Sequence, residues 1–345
     1  MTEKRDTNDG YTDFTDMLTA YRKTHVLLCA HELGIFQSLA VKAHTAEEIC
    51  VTTGMDKAYG RRFLETLVHL GFLEKEREDY SLSRFSRRYL IKGTRFYQRE
   101  SLEFEKTLIQ SWQNLHKTLI QGKRIFNAKE KSKDEYHASL AVYLKSMDNA
   151  ARIRAEELWP RINASGKGGL ILDAGAGSGA FLQSFLTRNP SWTGIFCDLP
   201  DVIALARKNQ DLMPLQDRIA FIPQNLLEKA DLEIHLKADI LLCSNLVHCQ
   251  GREETKSILS RLAPHVSPDG CLIIHDFFTD QGSHGALYDL HMMLNTYNGR
   301  TYTIDQIKAM AAPLGFTHHR LLPLTSSSLA IVCSKKAMPA DFFPS

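Results

Sequence analysis

The chain has 345 residues, enough for two domains with cores of their own. With 43% hydrophobic and 24% charged residues it has the balance of an ordinary water-soluble globular protein. A formal net charge of +2 argues against strong general affinity for nucleic acid or anionic membrane, and no apolar stretch is long enough to span a bilayer. The polar start from Met1 to Gly10 lacks the hydrophobic region of a signal peptide, so a cytoplasmic location is expected. The seven cysteines, at 29, 50, 197, 243, 249, 271 and 333, are odd in number and never spaced C-x-x-C, which fits a reducing compartment better than a zinc site or disulfide framework.

Residues 11 to 40 read as helices. Their apolar surface, with Leu27, Leu28, Ala30, Leu33 and Phe36, is wider than one small core needs, so part of it is expected to face a second subunit. Thr45-Ala46-Glu47-Glu48 has the spacing of a capping box, opening a helix that stops at Thr52-Thr53-Gly54. Asp56 can cap the next helix, which carries Phe63, Leu64, Leu67, Val68 and Leu70 before Gly71. Phe72-Leu73-Glu74 and Tyr80-Ser81-Leu82 then read as two strands around a charged turn, completing a winged-helix pattern. That pattern raises a DNA-binding regulator as a rival reading. Residues 1 to 100 hold 16 Lys and Arg against 15 Asp and Glu, however, so no basic footprint supports it, and Arg61 and Arg62 read more simply as a solvated helix face.

From 95 to 165 the pattern is helical and rich in large side chains, among them Phe96, Tyr97, Phe104, Trp112, Phe126, Tyr143 and Met147. Singly these read as core; as a set they can also wall a pocket for a flat apolar ligand. Ser165-Gly166-Lys167-Gly168-Gly169 reads as a linker, giving segments 1–94, 95–165 and 166–345.

The stretch that organises the remainder is Gly168 to Gly179. Leu170-Ile171-Leu172 predicts a strand buried on both faces, Asp173 leads into glycines at 175, 177 and 179, and Ala180 to Arg188 predicts a helix stopped by Asn189-Pro190. The spacing G-x-G-x-G differs from the dinucleotide G-x-G-x-x-G. About 20 residues on, Asp198 in Cys197-Asp198-Leu199-Pro200 ends the next strand, where a ribose diol finds its acceptor. A carboxylate at 173 would repel a pyrophosphate and suit a cationic group, which favours S-adenosylmethionine: a ribose, an amino group, a sulfonium and no phosphate. Further strands are expected at Ile219 to Pro223, Ala238 to Cys243, Gly270 to Asp276 and Ser328 to Cys333, with a helix over Glu253 to Leu262. This alternation predicts an α/β fold, a doubly wound sheet that binds ligands beyond the carboxyl ends of its strands.

These residues together resemble the class I S-adenosylmethionine-dependent O-methyltransferases of the acetylserotonin, caffeate and bacterial polyketide type. His31-Glu32-Leu33-Gly34-Ile35-Phe36 is similar to the family's E-L-G-[IV]-F segment, and Leu67 to Leu73 with Tyr80-Ser81-Leu82 to its winged-helix dimerisation domain. Asp173 to Gly179 resembles its D-x-G-x-G-x-G cofactor loop and Asp198-Leu199-Pro200 its D-L-P ribose site. The resemblance implies a Rossmann-like catalytic domain behind an α-helical winged-helix dimerisation domain, a homodimer, and S-adenosylmethionine contacts from Asp173, Gly175, Gly177, Asp198, Leu199, Asn225, Leu226 and Ser244. It also implies that His248 is the general base, oriented by Asp276. Sequence alone leaves His248 one histidine among 14, raised by its place after the fourth strand of the sheet. Adjacent side chains of an extended segment point apart, so a Cys249–His248 nucleophile pair is not expected.

The chain departs from the family at Cys249-Gln250, where Asp-Trp is common, and at Thr301, where a second glutamate is usual. The expected activity is methyl transfer to a hydroxyl of a small aromatic or heteroaromatic acceptor in a pocket walled by Trp112, Phe126, Met147, Met292 and Asn295, with His291 nearby. Carbon or nitrogen methylation on the same scaffold, and a non-catalytic cofactor-sensing or DNA-binding regulator, are the alternatives. No metal is expected, because His275, Asp276 and Asp280 lack a ligand framework.

Overall fold

A computed structural model describes residues 10–123, 133–164, 168–228 and 232–344 of the chain. Phe126 and Ser165 to Lys167 of the expected linker lie outside them. The chain forms two compact units, Met1–Lys106 and Thr107–Ser345.

In the first unit helices α1 (Tyr11–Thr19), α2 (Tyr21–Glu32) and α3 (Ile35–Ser38) are followed by strand β1 (His44–Thr45), α4 (Ala46–Thr53) and α5 (Lys57–His69). The helix ends follow the local chemistry. Thr45 and Glu48 form the reciprocal capping box, Asp56 accepts from the backbone of Ala58 and Tyr59, and Gly54 and Gly71 take the left-handed turns that stop α4 and follow α5. Strands β2 (Leu73–Glu76) and β3 (Asp79–Leu82) form a hairpin that β1 extends to the order β1-β3-β2. Ala30, Ile35, Phe36, Ile49, Leu64, Leu67 and Tyr80 fill its core. Helix α1 buries nothing: Tyr11, Phe14, Met17 and Leu18 stand 58–78% exposed. Helices α6 (Arg84–Tyr89) and α7 (Arg99–Gln113) follow.

The second unit is built on a seven-stranded sheet of order β6-β5-β4-β7-β8-β10-β9. Strands β4 (Gly169–Ala174), β5 (Trp192–Asp198), β6 (Ile219–Pro223), β7 (Ala238–Ser244) and β8 (Val266–Asp276) are parallel; β9 (His318–Pro323) and β10 (Leu329–Ser334) add an antiparallel hairpin. The last apolar run therefore pairs on both sides, and the more polar β9 takes the edge. The chain winds outward from β4 to β6 and returns to β7 on the other side of β4, so the order reverses between β4 and β7. A crevice opens beyond the strand ends at such a reversal.

Two hydrophobic clusters cover the sheet's faces. Leu172, Leu241 and Leu272 point to one, and Ile171, Leu242 and Ile273 to the other, which is why these strands read as continuous apolar runs. Each fully buried side chain of this kind stabilises the fold by roughly 1.5–3 kcal/mol. Helices α10 (Ala180–Arg188), α11 (Pro200–Ala206), α12 (Arg252–Leu262), α13 (Gly282–Asn295) and α14 (Ile304–Ala311) connect the strands, preceded by α8 (Leu115–Gln121) and the long α9 (Lys133–Leu158). Among the described residues no helix is long and apolar enough to cross a membrane.

Candidate active site

The glycine turn after β4 is left-handed at each glycine: φ is +72° at Gly175, +57° at Gly177 and +80° at Gly179. A side chain at Gly179 would also bring its Cβ within 2.8 Å of Leu212 and 2.9 Å of Phe196, whereas one at Gly177 would meet nothing within 4 Å. The turn is thus tight at its base and open at its crest. Asp173 lies beneath it, 2% exposed, where the Leu182 backbone in the first turn of α10 hydrogen-bonds the carboxylate. Its Oδ2 is buried without a hydrogen-bond partner. Burial, and then the charge of Asp198, push its pKa up to about 8.

Asp198 ends β5 facing the same turn. Its Oδ2 accepts from Gly177 N at 2.7 Å and its Oδ1 from Leu199 N at 2.7 Å. Burial raises its pKa, opposed by those two N–H groups. Leu199 is 39% exposed beside it. Beyond β6, Asn225 is held in a local turn, accepting from Leu227 N at 3.0 Å and donating to Glu228 at 3.2 Å. Leu226 is 8% exposed and its side chain packs into the core.

At the end of β7, Ser244 Oγ lies 2.8 Å from His275 Nδ1, and His275 Nε2 lies 2.9 Å from Ser328 Oγ. Burial, with Arg154 adding to it, pushes His275 down to about 3, so it is a neutral structural bridge. Asn245 follows in the left-handed region at φ 51°, with a buried, unpartnered Oδ1. Sequence reasoning passed over it; an asparagine just after a ligand-edge strand was the available signal.

His248 sits in a 3-10 turn, Val247–Cys249, and not in the extended segment expected from sequence. The Cys249 Sγ faces Asn245 O at 3.7 Å, away from a nucleophile pairing with the imidazole. His248 is 5% exposed and Asp276 fully buried. The Nδ1 of His248 is in close hydrogen-bond contact with Asp276 Oδ1, while His248 N donates to Oδ2 at 3.3 Å and Phe277 N to Oδ1 at 2.7 Å. Among the described residues Nε2 has no hydrogen-bond partner. Burial opposes protonation of the ring, but Asp276, with Tyr288 and Cys249, outweighs it and holds the pKa well above 6.5. Thr301 does not replace the missing glutamate. It is 1% exposed and turned to Asp289 at 2.7 Å through its N–H, with its hydroxyl 2.6 Å from Thr279.

Helix α13 places Tyr288, His291, Met292 and Asn295 on neighbouring turns. The Tyr288 ring meets His248 edge-on at 5.2 Å, Phe277 at 4.1 Å and His291 at 5.5 Å; His291 stacks on Trp112 at 6.4 Å. Asn295 donates to His291 O at 2.9 Å, Met292 is 5% exposed, and Met147 is half-buried on α9 one turn from Tyr143. Tyr288 is not among the residues that the sequence singles out. The charges acting on the Tyr143 phenol include those of Cys249, His248, Tyr288 and Asp198. Among the described residues no three His, Cys, Asp or Glu side chains converge as metal ligands.

A doubly wound sheet with a left-handed glycine turn, an acid at the next strand end and a buried His–Asp pair defines a nucleoside-binding transferase. The chain belongs to the O-methyltransferase family: residues 105–317 match its O-methyltransferase domain and residues 15–92 its dimerisation domain. It is an S-adenosylmethionine-dependent methyltransferase. Acetylserotonin O-methyltransferase of Bos taurus is 23% identical over 331 residues, covering 89% of this chain and 93% of its own. The N,N-dimethyltransferase OxyT of Streptomyces rimosus is 24% identical over 310 residues, covering 87% and 89%. The solved structure of human N-acetylserotonin methyltransferase in complex with SAM superposes with a TM-score of 0.80 at 18% identity, covering 98% of this chain and all of that one.

Proposed function

We propose that the protein methylates a hydroxyl of a small aromatic or heteroaromatic acceptor, with His248 as general base and Asp276 as the acid that orients it. The observation that carries this reading is the asymmetry of the imidazole: Nδ1 is fixed by a buried carboxylate and Nε2 is left unpaired. A histidine held in this way is oriented to take one proton.

The crevice fits the donor by its own chemistry. Asp198 offers lone pairs to a ribose diol, the Gly177 crest leaves room for close approach, and the unpartnered Oδ2 of Asp173 lies where a positive charge would ionise it. Bound there, S-adenosylmethionine supplies a methyl group made electrophilic by its sulfonium. The residues do the rest: Tyr288, Trp112 and His291 orient a flat acceptor, and Nε2 of His248 receives the hydroxyl proton as attack develops. Positioning can remove up to about 7–11 kcal/mol of the barrier, and a placed base contributes about two to four powers of ten in rate.

The similarity to an N,N-dimethyltransferase and the absence of a second acid beside His248 favour one alternative, methyl transfer to nitrogen. NMR of the methylated product decides: an N-methyl resonance removes the hydroxyl reading. We read the exposed apolar face of α1, in a family dimerisation domain, as the surface of a homodimer in which α4, α5 and the β2–β3 hairpin form a winged helix. Seven free thiols suit the reducing cytoplasm.

Asp173 gives a pH prediction. Its folded pKa of about 8 stands above its ordinary 3.8, so between these values the folded state keeps a proton that the unfolded state releases. Stability present below pH 3.8 is therefore lost as pH rises toward 8. The melting temperature of the ligand-free protein should fall across that window, and Asp173→Asn should flatten the fall. Equal slopes in both proteins would refute the assignment. Calorimetry of S-adenosylhomocysteine binding near pH 7 in buffers of different ionisation enthalpy should also show proton release that Asp173→Asn abolishes.

A further inference from the structure

Arg154, on α9, carries a half-buried guanidinium that the proposed chemistry does not use. It lies over the Phe277 ring at 4.7 Å, its Nε is enclosed without a hydrogen-bond partner, and among the described residues it forms no ion pair. Two other half-buried guanidiniums are paired within the protein. Arg152, two residues earlier, is held by Asp148 and Asp211 at 2.5 Å each, and Arg218 donates to the carbonyls of Leu186, Asn189, Pro190 and Trp192. A partly desolvated cation without a counter-ion is costly, and an anion that reaches it relieves that cost.

The groups around Arg154 are already committed. Asp276 holds His248, Glu157 binds Thr325 and Ser326, and His275 is neutral between Ser244 and Ser328. Its position selects the acceptor side of the crevice. Phe277 packs on Tyr288 at 4.1 Å and Tyr288 on His248 at 5.2 Å, so two ring contacts link Arg154's aromatic partner to the imidazole. The charged groups that act on it include Tyr288, Asp276 and Glu157.

The geometry points to Arg154 as the receptor for a carboxylate on the methyl acceptor, making the substrate class a hydroxylated aromatic acid and not a neutral phenol. This rests on the reading of His248 as the base at the acceptor hydroxyl. A guanidinium fork suits a carboxylate by two parallel hydrogen bonds, and a ring of the acceptor can lie along Tyr288 and Phe277 while its hydroxyl reaches Nε2.

The test uses the full-length protein saturated with S-adenosylhomocysteine and titrated calorimetrically with 3- and 4-hydroxybenzoate, 6-hydroxy-2-naphthoate and the corresponding amides. The acids should bind at least about tenfold more tightly than the amides. Arg154→Met should erase that preference while leaving amide and S-adenosylhomocysteine affinities within about twofold, and Arg154→Lys should keep part of it. Absence of acid binding or of an acid preference in the wild-type protein overturns the assignment, a comparison that needs no variant to fold. Weakened S-adenosylhomocysteine binding in Arg154→Met overturns it too, by showing that the anion is the donor's own carboxylate. Turnover separates the two readings. An acid preference with methyl transfer to nitrogen sinks the hydroxyl reading and keeps Arg154, whereas hydroxyl methylation without acid preference does the reverse.

Discussion

His248→Ala is expected to bind S-adenosylhomocysteine as the wild type does and to lose at least about a hundredfold in turnover. The substitution removes the unpaired Nε2 and also leaves Asp276 buried with only backbone N–H donors, from His248 and Phe277. A loss of stability is expected with it, since a buried carboxylate without its partner is costly. His248→Gln separates the two effects, because its amide can still donate to Asp276 while offering no basic nitrogen; its melting temperature should recover and its turnover should not. The pH dependence has a definite sign. The base must be neutral to act, and Asp276 raises the pKa of the imidazole well above 6.5, so kcat/KM should climb with pH through neutrality and level off only on the alkaline side. Turnover retained in both variants, or a pH profile flat from 6 to 9, would take His248 out of the chemistry.

The second large effect is at Asp198. Its two oxygens tie the crest of the glycine turn and the start of α11 to one carboxylate, through Gly177 N and Leu199 N at 2.7 Å each. Asp198→Ala removes both bonds and the acceptor offered to the ribose diol. Hydrogen bonds to a charged group contribute about 1.5–3 kcal/mol each, so the donor affinity should drop by about two powers of ten or more, measured by calorimetry with S-adenosylhomocysteine. Asp198→Asn keeps one acceptor oxygen and should fall between. Unchanged affinity in the alanine variant would mean that the ribose lies elsewhere.

These two residues were accessible to sequence reasoning for different reasons. The place of Asp198 was legible because it depends on a spacing: one strand, one glycine turn, one helix and the next strand end, all within a local unit. His248 needed the family resemblance, since neither periodicity nor composition separates it from the other histidines. Residues 247 to 249 read as an extended segment and form a 3-10 turn, just past a strand end, where the strand's alternation of faces no longer sets side-chain direction.

The helix caps at Thr45 and Asp56, the buried strands from Leu170 to Cys333, the glycine turn and the acid after it were written in the sequence, because each depends on neighbours within a few residues. What only the tertiary structure decided is which distant groups meet. Asp276 reaches His248 across 28 residues, Thr301 turns to Asp289, Asp173 is enclosed under its own turn, and Arg154 has no counter-ion among the described residues. Those outcomes follow from how β7, β8, α9 and α13 pack around one crevice. Burial there sets whether a charge is shared, suppressed or left waiting, and burial is a property of the whole fold and not of any short stretch of chain.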